Sequence, residues 1–416
     1  MKAVILAGGE GTRLYPITEK MPKPMIPLMG KPILEHLLIQ AKNVGITDFC
    51  IVIGNTHNSI AEYFDDGKNW EVNIKYVQQA EPKGVVDAIT KAEDFIKDED
   101  YFLVFYSDVI LCSEFIQRVL NTHNELRCSA IVGVTIVNNP EYYGVAELDS
   151  DSRILQIVEK PKEKPISNYA LAGIYLFSKE AYEIIKNEPQ LDAALKKIIE
   201  KNGDVYGVIW EKDWVEITWP WDLLSANKLL LKQASKECRG TYISGTANVS
   251  ERANIENFVV IDDSAIIRAG AQITGPVYIG RNSYIGNNSL IRDYTSISEN
   301  VTVGFSVEIK NSIVLPNAFI GQLSYIGDSL IGTSVRISSG FQTWNKPFEK
   351  EILYEWQNVK IRIPRKKFGA VIGSNTQIGM NVVTFPGISI GCNCRIYPGV
   401  VLNKNVKSNK VIKRKK

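Results

Sequence analysis

Leu6-Ala7-Gly8-Gly9-Glu10-Gly11-Thr12-Arg13, with Lys23 ten residues further on, decides how this chain is read. Ahead of the glycines, Lys2-Ala3-Val4-Ile5-Leu6-Ala7 is a short apolar run of the kind that forms a buried parallel strand. Gly8, Gly9 and Gly11 then fall within four residues. Without a Cβ the backbone turns tightly and brings its N–H groups close to a ligand. A concave run of N–H donors suits phosphate oxygens. Arg13 and Lys23 add two cations, well placed for a triphosphate. The same residues also fit a plain strand-to-loop connection with solvated charges. No Gly-Lys-Ser/Thr follows, so this is not a Walker A loop, and no G-x-G-x-x-G dinucleotide fingerprint is present.

The string runs on through Leu14-Tyr15-Pro16-Ile17-Thr18 to Pro22-Lys23-Pro24. Over that length it resembles the signature of sugar-1-phosphate nucleotidylyltransferases, G-x-G-T-R-L-x-P-x-T followed by P-K-P. The resemblance implies an α/β Rossmann-like nucleotidyltransferase domain, expected over residues 1–240. It implies nucleotide binding at Leu6, Ala7, Gly8, Gly9 and Gly11, and catalytic roles for Arg13 and Lys23.

Residues downstream fit a doubly wound sheet. Helical spacing over 32–41 is followed by a strand at 49–53, a helix at 59–64, a strand at 72–77, a helix at 85–96 and a strand at 101–106. Ligands in such sheets bind at the carboxyl ends of strands. Gln79 and Asp108 fall at two such ends. An aspartate there also serves as an ordinary turn cap. In the resembled family this aspartate holds Mg²⁺, and the glutamine, with Gly84, reads a pyrimidine base, pointing to UTP or dTTP. A side-chain amide offers one donor and one acceptor edge to the imide of uracil or thymine.

Tyr143-Gly144-Val145, Val158-Glu159-Lys160-Pro161 and Ala170-Leu171-Ala172-Gly173-Ile174-Tyr175 match the family's sugar-phosphate blocks in order. By that resemblance Tyr106, Gly144, Glu159, Lys160 and Gly173 form the sugar subsite, Glu159 accepting hydroxyls and Lys160 facing the phosphate. Leu171 stands where the family has asparagine, Ser107 where it has glycine, and Val85 where it often has threonine. In Trp214-Val215-Glu216-Ile217-Thr218-Trp219-Pro220 the family's second metal ligand is an aspartate; here it is Glu216, one methylene longer. Mg²⁺ takes oxygen ligands and tolerates water in the remaining positions.

Length, charge and cysteines bound the remaining classes. At 416 residues the chain holds two or three domains. A formal net charge of +2 argues against a general nucleic-acid binder, and no window reaches the length of a membrane span. Cys50, Cys112, Cys128, Cys238, Cys392 and Cys394 are scattered without a CxxC, which reads as reduced thiols in a cytoplasmic protein. Only His36, His57 and His123 are histidines. Residues 406–416, rich in Lys and Arg, read as a frayed basic tail.

From 241 onward the period becomes six. Ile243, Val249, Ile255, Ile261, Ile267, Ile273, Ile279, Ile285, Ile291, Ile297, Val303, Ile309 and Leu315 form an unbroken apolar series. Chance would produce such a run about once in 10⁵ trials per register. The series fades after Leu315, returns at Ile372, and leaves an irregular excursion over 341–364. Such hexapeptides mark a parallel β-helix, here expected over 241–405. Similarity to hexapeptide-repeat proteins implies a left-handed coil and a homotrimer.

The order of the two domains resembles the bifunctional family that joins a uridylyltransferase to a glucosamine-1-phosphate acetyltransferase, in its shorter archaeal form. That resemblance implies acetyl-CoA as a further ligand and a second-domain pocket of Arg292, Lys310, Gln322, Tyr325 and Asn345. The family's acetyl-transfer base is a histidine, and here the position is Gln322. A neutral amide cannot accept the proton that the attacking amine must lose. Three readings stay open: a nucleotidylyltransferase with a structural coil, a bifunctional enzyme with a substitute base, and a non-catalytic regulatory subunit.

Overall fold

The structure, a computed structural model, describes residues 1–54, 58–81, 83–161, 165–202, 204–237, 240–348 and 351–414. His57, Pro82 and Cys238 lie outside these. Two compact units emerge, and they are not contiguous along the chain: residues 1–10, 22–25 and 33–216 form one, residues 11–21, 26–32 and 217–416 the other.

In the first unit the expected alternation becomes a mixed sheet. Lys2–Ala7 lies at its centre, parallel to Asp48–Gly54 on one side and to Tyr101–Tyr106 on the other. Asn73–Gln79 extends the parallel part beyond Asp48–Gly54. Tyr169–Ser178 runs antiparallel to Tyr101–Tyr106 and carries the sheet on to Ala130–Ile136 and Gly144–Leu148. The central strands are apolar on both faces because helices cover both: Ile5 and Phe105 pack into one layer, Val4 and Val104 into the other, all fully buried. Leu6 pairs with both Val52 and Tyr106, so three strand ends open at one edge, where the glycine loop starts. The helix expected over 85–96 is interrupted at Ala92, dividing into Val85–Lys91 and Glu93–Ile96.

In the second unit, short strands are dealt in rotation to three parallel sheets, of eight, nine and eight strands among the described residues. Ile243 pairs with Ile261, Ile261 with Ile279 and Ile279 with Ile297, so every third hexapeptide stacks on the one before. The periodic residues point inward: Ile279, Ile285, Ile291 and Ile297 are each fully buried in one continuous core. Corners fall repeatedly on asparagine in the left-handed region, including Asn282, Asn288 and Asn300. A short polar side chain tolerates that conformation better than most.

The repeat does not fade after Leu315; its register slips. Ile297 pairs with Val314, and Val314 with Ile331, each coil one residue shorter than those before. Val314, not Leu315, therefore takes the core position. Ile320, Ile326 and Ile337 continue the series, fully buried. The excursion contains a β-hairpin, Ile352–Trp356 against Val359–Ile363, inserted before the coil resumes with Ala370–Ile372 on Leu330–Ile331. The segment read as a frayed tail is ordered as well: Val411–Ile412 pairs in parallel with Arg395–Ile396. Cys392 and Cys394 sit in a corner rather than on a strand, both buried.

Candidate active site

At the carboxyl end of Tyr101–Tyr106 the chain turns through Ser107 and Asp108 into a two-residue strand, Val109–Ile110. That strand pairs antiparallel with Val215–Glu216, placing Glu216 opposite Val109. Two acids from distant parts of the sequence are thus brought to adjacent positions. Asp108 Oδ2 accepts from Lys23 Nζ at 2.5 Å. Its Oδ1 is buried and finds no hydrogen-bond donor among the described residues. An unpaired buried carboxylate oxygen is costly unless something cationic completes it.

Tyr106 stands in the middle. Its phenol shares a hydrogen bond with that of Tyr175, the rings 5.5 Å apart, and Glu216, Glu159 and Asp108 all act on it electrostatically. Burial, then those carboxylates, push its pKa up, so the phenol stays neutral. Two of those three acids carry a lysine partner, Asp108 with Lys23 and Glu159 with Lys160. Among the described residues no three His, Cys, Asp or Glu side chains gather as a metal cluster. Asp108, with its unpaired Oδ1, and Glu216 fit a divalent ion that takes one or two carboxylates and completes its shell with substrate phosphates and water.

Gln79 is more constrained than its sequence indicates. Gln79, 6% exposed, donates through Nε2 to Asp87 Oδ2 at 2.8 Å and to the Gly84 carbonyl at 3.1 Å. Both partners are acceptors, so both amide hydrogens are spent. Only Oε1 is left for a ligand; a paired donor and acceptor edge is not available. That oxygen lies over Gly8, where a Cβ would come within 2.7 Å of it. Gly84, at φ 101°, caps the helix that carries Asp87. Gly9 has open space around its Cα.

The residues of the three blocks expected to form a sugar subsite lie close to one another in places. A Cβ at Gly144 would lie 2.6 Å from Glu159 Oε2 and 2.9 Å from Leu171, and one at Gly173 (φ 73°) would press on Val109 and Tyr106. Lys160 pairs with Glu159 at 3.1 Å and is held at φ 43°, an uncommon conformation for a residue with a Cβ. Gly11 and Arg13 belong to the second unit. Gly11 takes φ 64° ahead of a helical turn at Thr12–Leu14, and its carbonyl accepts from Thr18 Oγ1 at 2.7 Å.

Arg292, Lys310, Tyr325 and Asn345, expected in a second-domain pocket, lie on or just after strands of one sheet of the coil. Glu308 pairs with both Leu290 and Tyr325, aligning successive coils of one sheet. Arg292 pairs with Glu308 at 3.0 Å, and Lys310 Nζ sits 5.8 Å over the Tyr325 ring. Tyr325 Oη and Asn345 Nδ2 converge over Gly327. Asn345 and Asn311 each donate to one oxygen of Asp328. Gln322 is exposed on a corner of the coil.

Similarity to known proteins agrees with this geometry. The Nucleotidyl transferase family matches residues 2–233. The chain belongs to that family. The GMPPB C-terminal domain matches residues 273–346. A protein of Methanococcus maripaludis named bifunctional protein GlmU is 38% identical, with 100% of this chain and 98% of that one covered. A Sulfurisphaera tokodaii protein named bifunctional sugar-1-phosphate nucleotidylyltransferase/acetyltransferase is 35% identical, with 98% of each covered. A solved Bacillus anthracis chain assigned as a glucose-1-phosphate thymidylyltransferase, in complex with a sucrose, is 29% identical; it covers 55% of this chain and 94% of its own at TM-score 0.52. No helix among the described residues is long and apolar enough to cross a membrane.

Sequence reasoning missed Asp87, Tyr175 and the hairpin. Asp87 carries no motif; its role appears only once the loop from Gln79 to Gly84 closes. Tyr175 was visible merely as the last residue of a sugar block.

Proposed function

We propose that this enzyme transfers a nucleotidyl group from UTP or dTTP to a sugar-1-phosphate, releasing pyrophosphate, with Mg²⁺ held by Asp108 and Glu216. The observation that supports the reading is the pairing of Glu216 with Val109, the residue next to Asp108, together with the unpaired, buried Oδ1 of Asp108. An oxygen of the sugar phosphate forms the new bond to the α-phosphorus while the bond from that phosphorus to the β-phosphate oxygen breaks. The attacking oxygen is already ionised, so no side chain has to take a proton, and catalysis reduces to alignment and charge neutralisation. Asp108 and Glu216 would hold Mg²⁺, which would supply positive charge to offset that of the phosphates. Lys23 exchanges Asp108 for a phosphate oxygen when the nucleotide arrives, and Arg13 steadies the leaving charge. Glu159 accepts sugar hydroxyls over Gly144, Lys160 meets the sugar's phosphate, and Gly173 lets the backbone approach the ring. Gln79 Oε1 accepts the N3–H of uracil or thymine, and a cytosine, with an acceptor at N3, is rejected. The transferase domain is taken as residues 1–240 and the coil of parallel strands, which runs from 241 through Val411–Ile412, as a left-handed β-helix assembling as a trimer.

A second reading rests on Lys310, Tyr325, Asn345 and Asp328 converging in the second unit: a pocket for an amino-sugar phosphate and acetyl-CoA. Without a proton acceptor at Gln322 its chemistry is disabled while its shape persists. One grid tests both. Nucleoside triphosphates against sugar-1-phosphates, read by pyrophosphate release, are expected to give turnover with UTP or dTTP and none with CTP; silence across the grid would refute the transferase assignment. A parallel arm with acetyl-CoA and glucosamine-1-phosphate is expected to release no thiol above background.

A further inference from the structure

The loop that carries Arg13 is not self-supporting. Residues 11–21 pack within the second unit, and the groups that hold them come from the far end of the chain. Tyr354 Oη donates to the Tyr15 carbonyl at 2.9 Å, and Trp356 Nε1 donates to the Thr12 carbonyl at 3.3 Å. Cys392 Sγ donates to the Pro16 carbonyl at 3.3 Å. Pro16 lies against Gly373, where a Cβ would come within 2.9 Å of it. The Arg13 guanidinium sits 5.7 Å over the Trp219 ring. Trp219 is stacked on Trp221 at 5.3 Å and met edge-on by Trp356 at 5.5 Å, while Tyr354 meets Trp221 edge-on at 5.7 Å.

Tyr354 and Trp356 lie on one strand of the hairpin inserted in the coil. The hairpin turns through Gln357 and Asn358, at φ 50° and 64°, the left-handed pair whose twist suits a two-residue connection. Its own seating is firm. Ile352, Tyr354 and Ile363 are buried, the Leu353 carbonyl lies 2.4 Å from where a Cβ on Gly387 would stand, and Asn405 Nδ2 donates to the Glu355 carbonyl at 3.1 Å. Ile352, Tyr354 and Trp356 alternate onto the same face of their strand, so the face that seats the hairpin also presents two donors and an aromatic edge to the segment on either side of Arg13.

We propose that this hairpin is a positioning element for nucleotidyl transfer, with Trp356 and Tyr354 the positioning residues that hold Arg13 ready for the triphosphate. The inference rests on the reading of Arg13 given above. An exposed arginine otherwise samples many rotamers, and fixing it before the substrate arrives removes that cost from the transition state. Trp219 provides the face on which the guanidinium rests. Trp356 fixes that face and, through the Thr12 carbonyl, the backbone next to Arg13.

A double-mutant cycle on the full chain, read by pyrophosphate release, tests this. Trp356→Ala is expected to lower kcat/KM for the nucleoside triphosphate about tenfold with KM for the sugar phosphate unchanged. Trp356→Phe, which keeps a ring but loses the N–H, should lose about threefold. In an Arg13→Ala background, Trp356→Ala should cost less than about twofold more, since the group it positions is gone. The Phe variant keeps the test valid if the Ala variant misfolds. Full activity in Trp356→Ala and Trp356→Phe beside a crippled Arg13→Ala, or losses that multiply in the double variant, would overturn the positioning role alone. Full activity in Arg13→Ala would overturn both this inference and the reading beneath it.

Discussion

The two groups of polar side chains proposed as pockets differ in how their acids are partnered. In the first unit Asp108, Glu216, Glu159 and Tyr106 stand together, and the buried Oδ1 of Asp108 is left open for a cation. In the second, Asp328 is saturated by Asn311 and Asn345, Lys310 lies over Tyr325, and the corner that would supply a base carries an exposed glutamine. The first reaction needs charge and alignment but no proton acceptor, so carboxylates and cations suffice. The second needs a proton removed from an amine, and one residue decides it. What separates the pockets is the chemistry each must do, more than the number of polar groups each contains.

Removing a ligand should break the comparison hardest. Asp108→Ala, and Lys23→Ala after it, are expected to lower kcat for pyrophosphate release by about 10²-fold or more, the usual loss for one preorganised electrostatic group. A near-normal rate in Asp108→Ala would take that residue out of the site. Restoring a base should narrow the gap from the other side. Gln322→His is expected to raise acetyl-CoA thiol release with glucosamine-1-phosphate about tenfold over the unaltered chain, at the cautious end of general-base effects. No rise would mean that the second pocket is not an acetyl-transfer pocket lacking only its base. Smaller still is the effect of freeing the Gln79 amide. With Asp87→Asn the side-chain amide can reverse, and preference for UTP over CTP should fall about fivefold, the worth of one hydrogen bond. Unchanged preference by kcat/KM would show that Asp87 does not set that orientation.

The smallest effect is invisible at neutral pH. Burial pushes the Tyr354 phenol from 10.0 up to about 12. Its folded-state pKa is raised, so its contribution to stability is fully present below pH 10 and drains away as pH climbs toward 12. The slope is at most about 1.4 kcal/mol per pH unit. Denaturant unfolding across that range should show the loss in the unaltered chain and a flatter profile in Tyr354→Phe; identical profiles would mean the phenol does not titrate with folding.

Much of this arrangement was legible in the sequence. The glycine loop and the strand ends at Gln79 and Asp108 are local strings at the carboxyl ends of parallel strands, and the sugar blocks are local strings on the antiparallel strands of the same sheet. The hexapeptide period was equally plain until Val314. There a single missing residue shifted the frame and made the continuing coil look like its end, although Ile331 still stacks on Val314. The hairpin was hidden for a related reason: Gln357-Asn358 carries no glycine to announce a tight turn. Contacts between Trp356 and Thr12, or between Asp87 and Gln79, depend on closure of the chain over distances no local pattern encodes.

The central claim is that Asp108 and Glu216 share one divalent ion, and Mn²⁺ titration followed by electron paramagnetic resonance, in the presence of UTP, tests it most directly. The unaltered chain should bind about one ion per chain beyond that carried by free nucleotide. Asp108→Ala and Glu216→Ala should each weaken that binding by about tenfold or more. Binding in both variants equal to that of the unaltered chain would contradict the account.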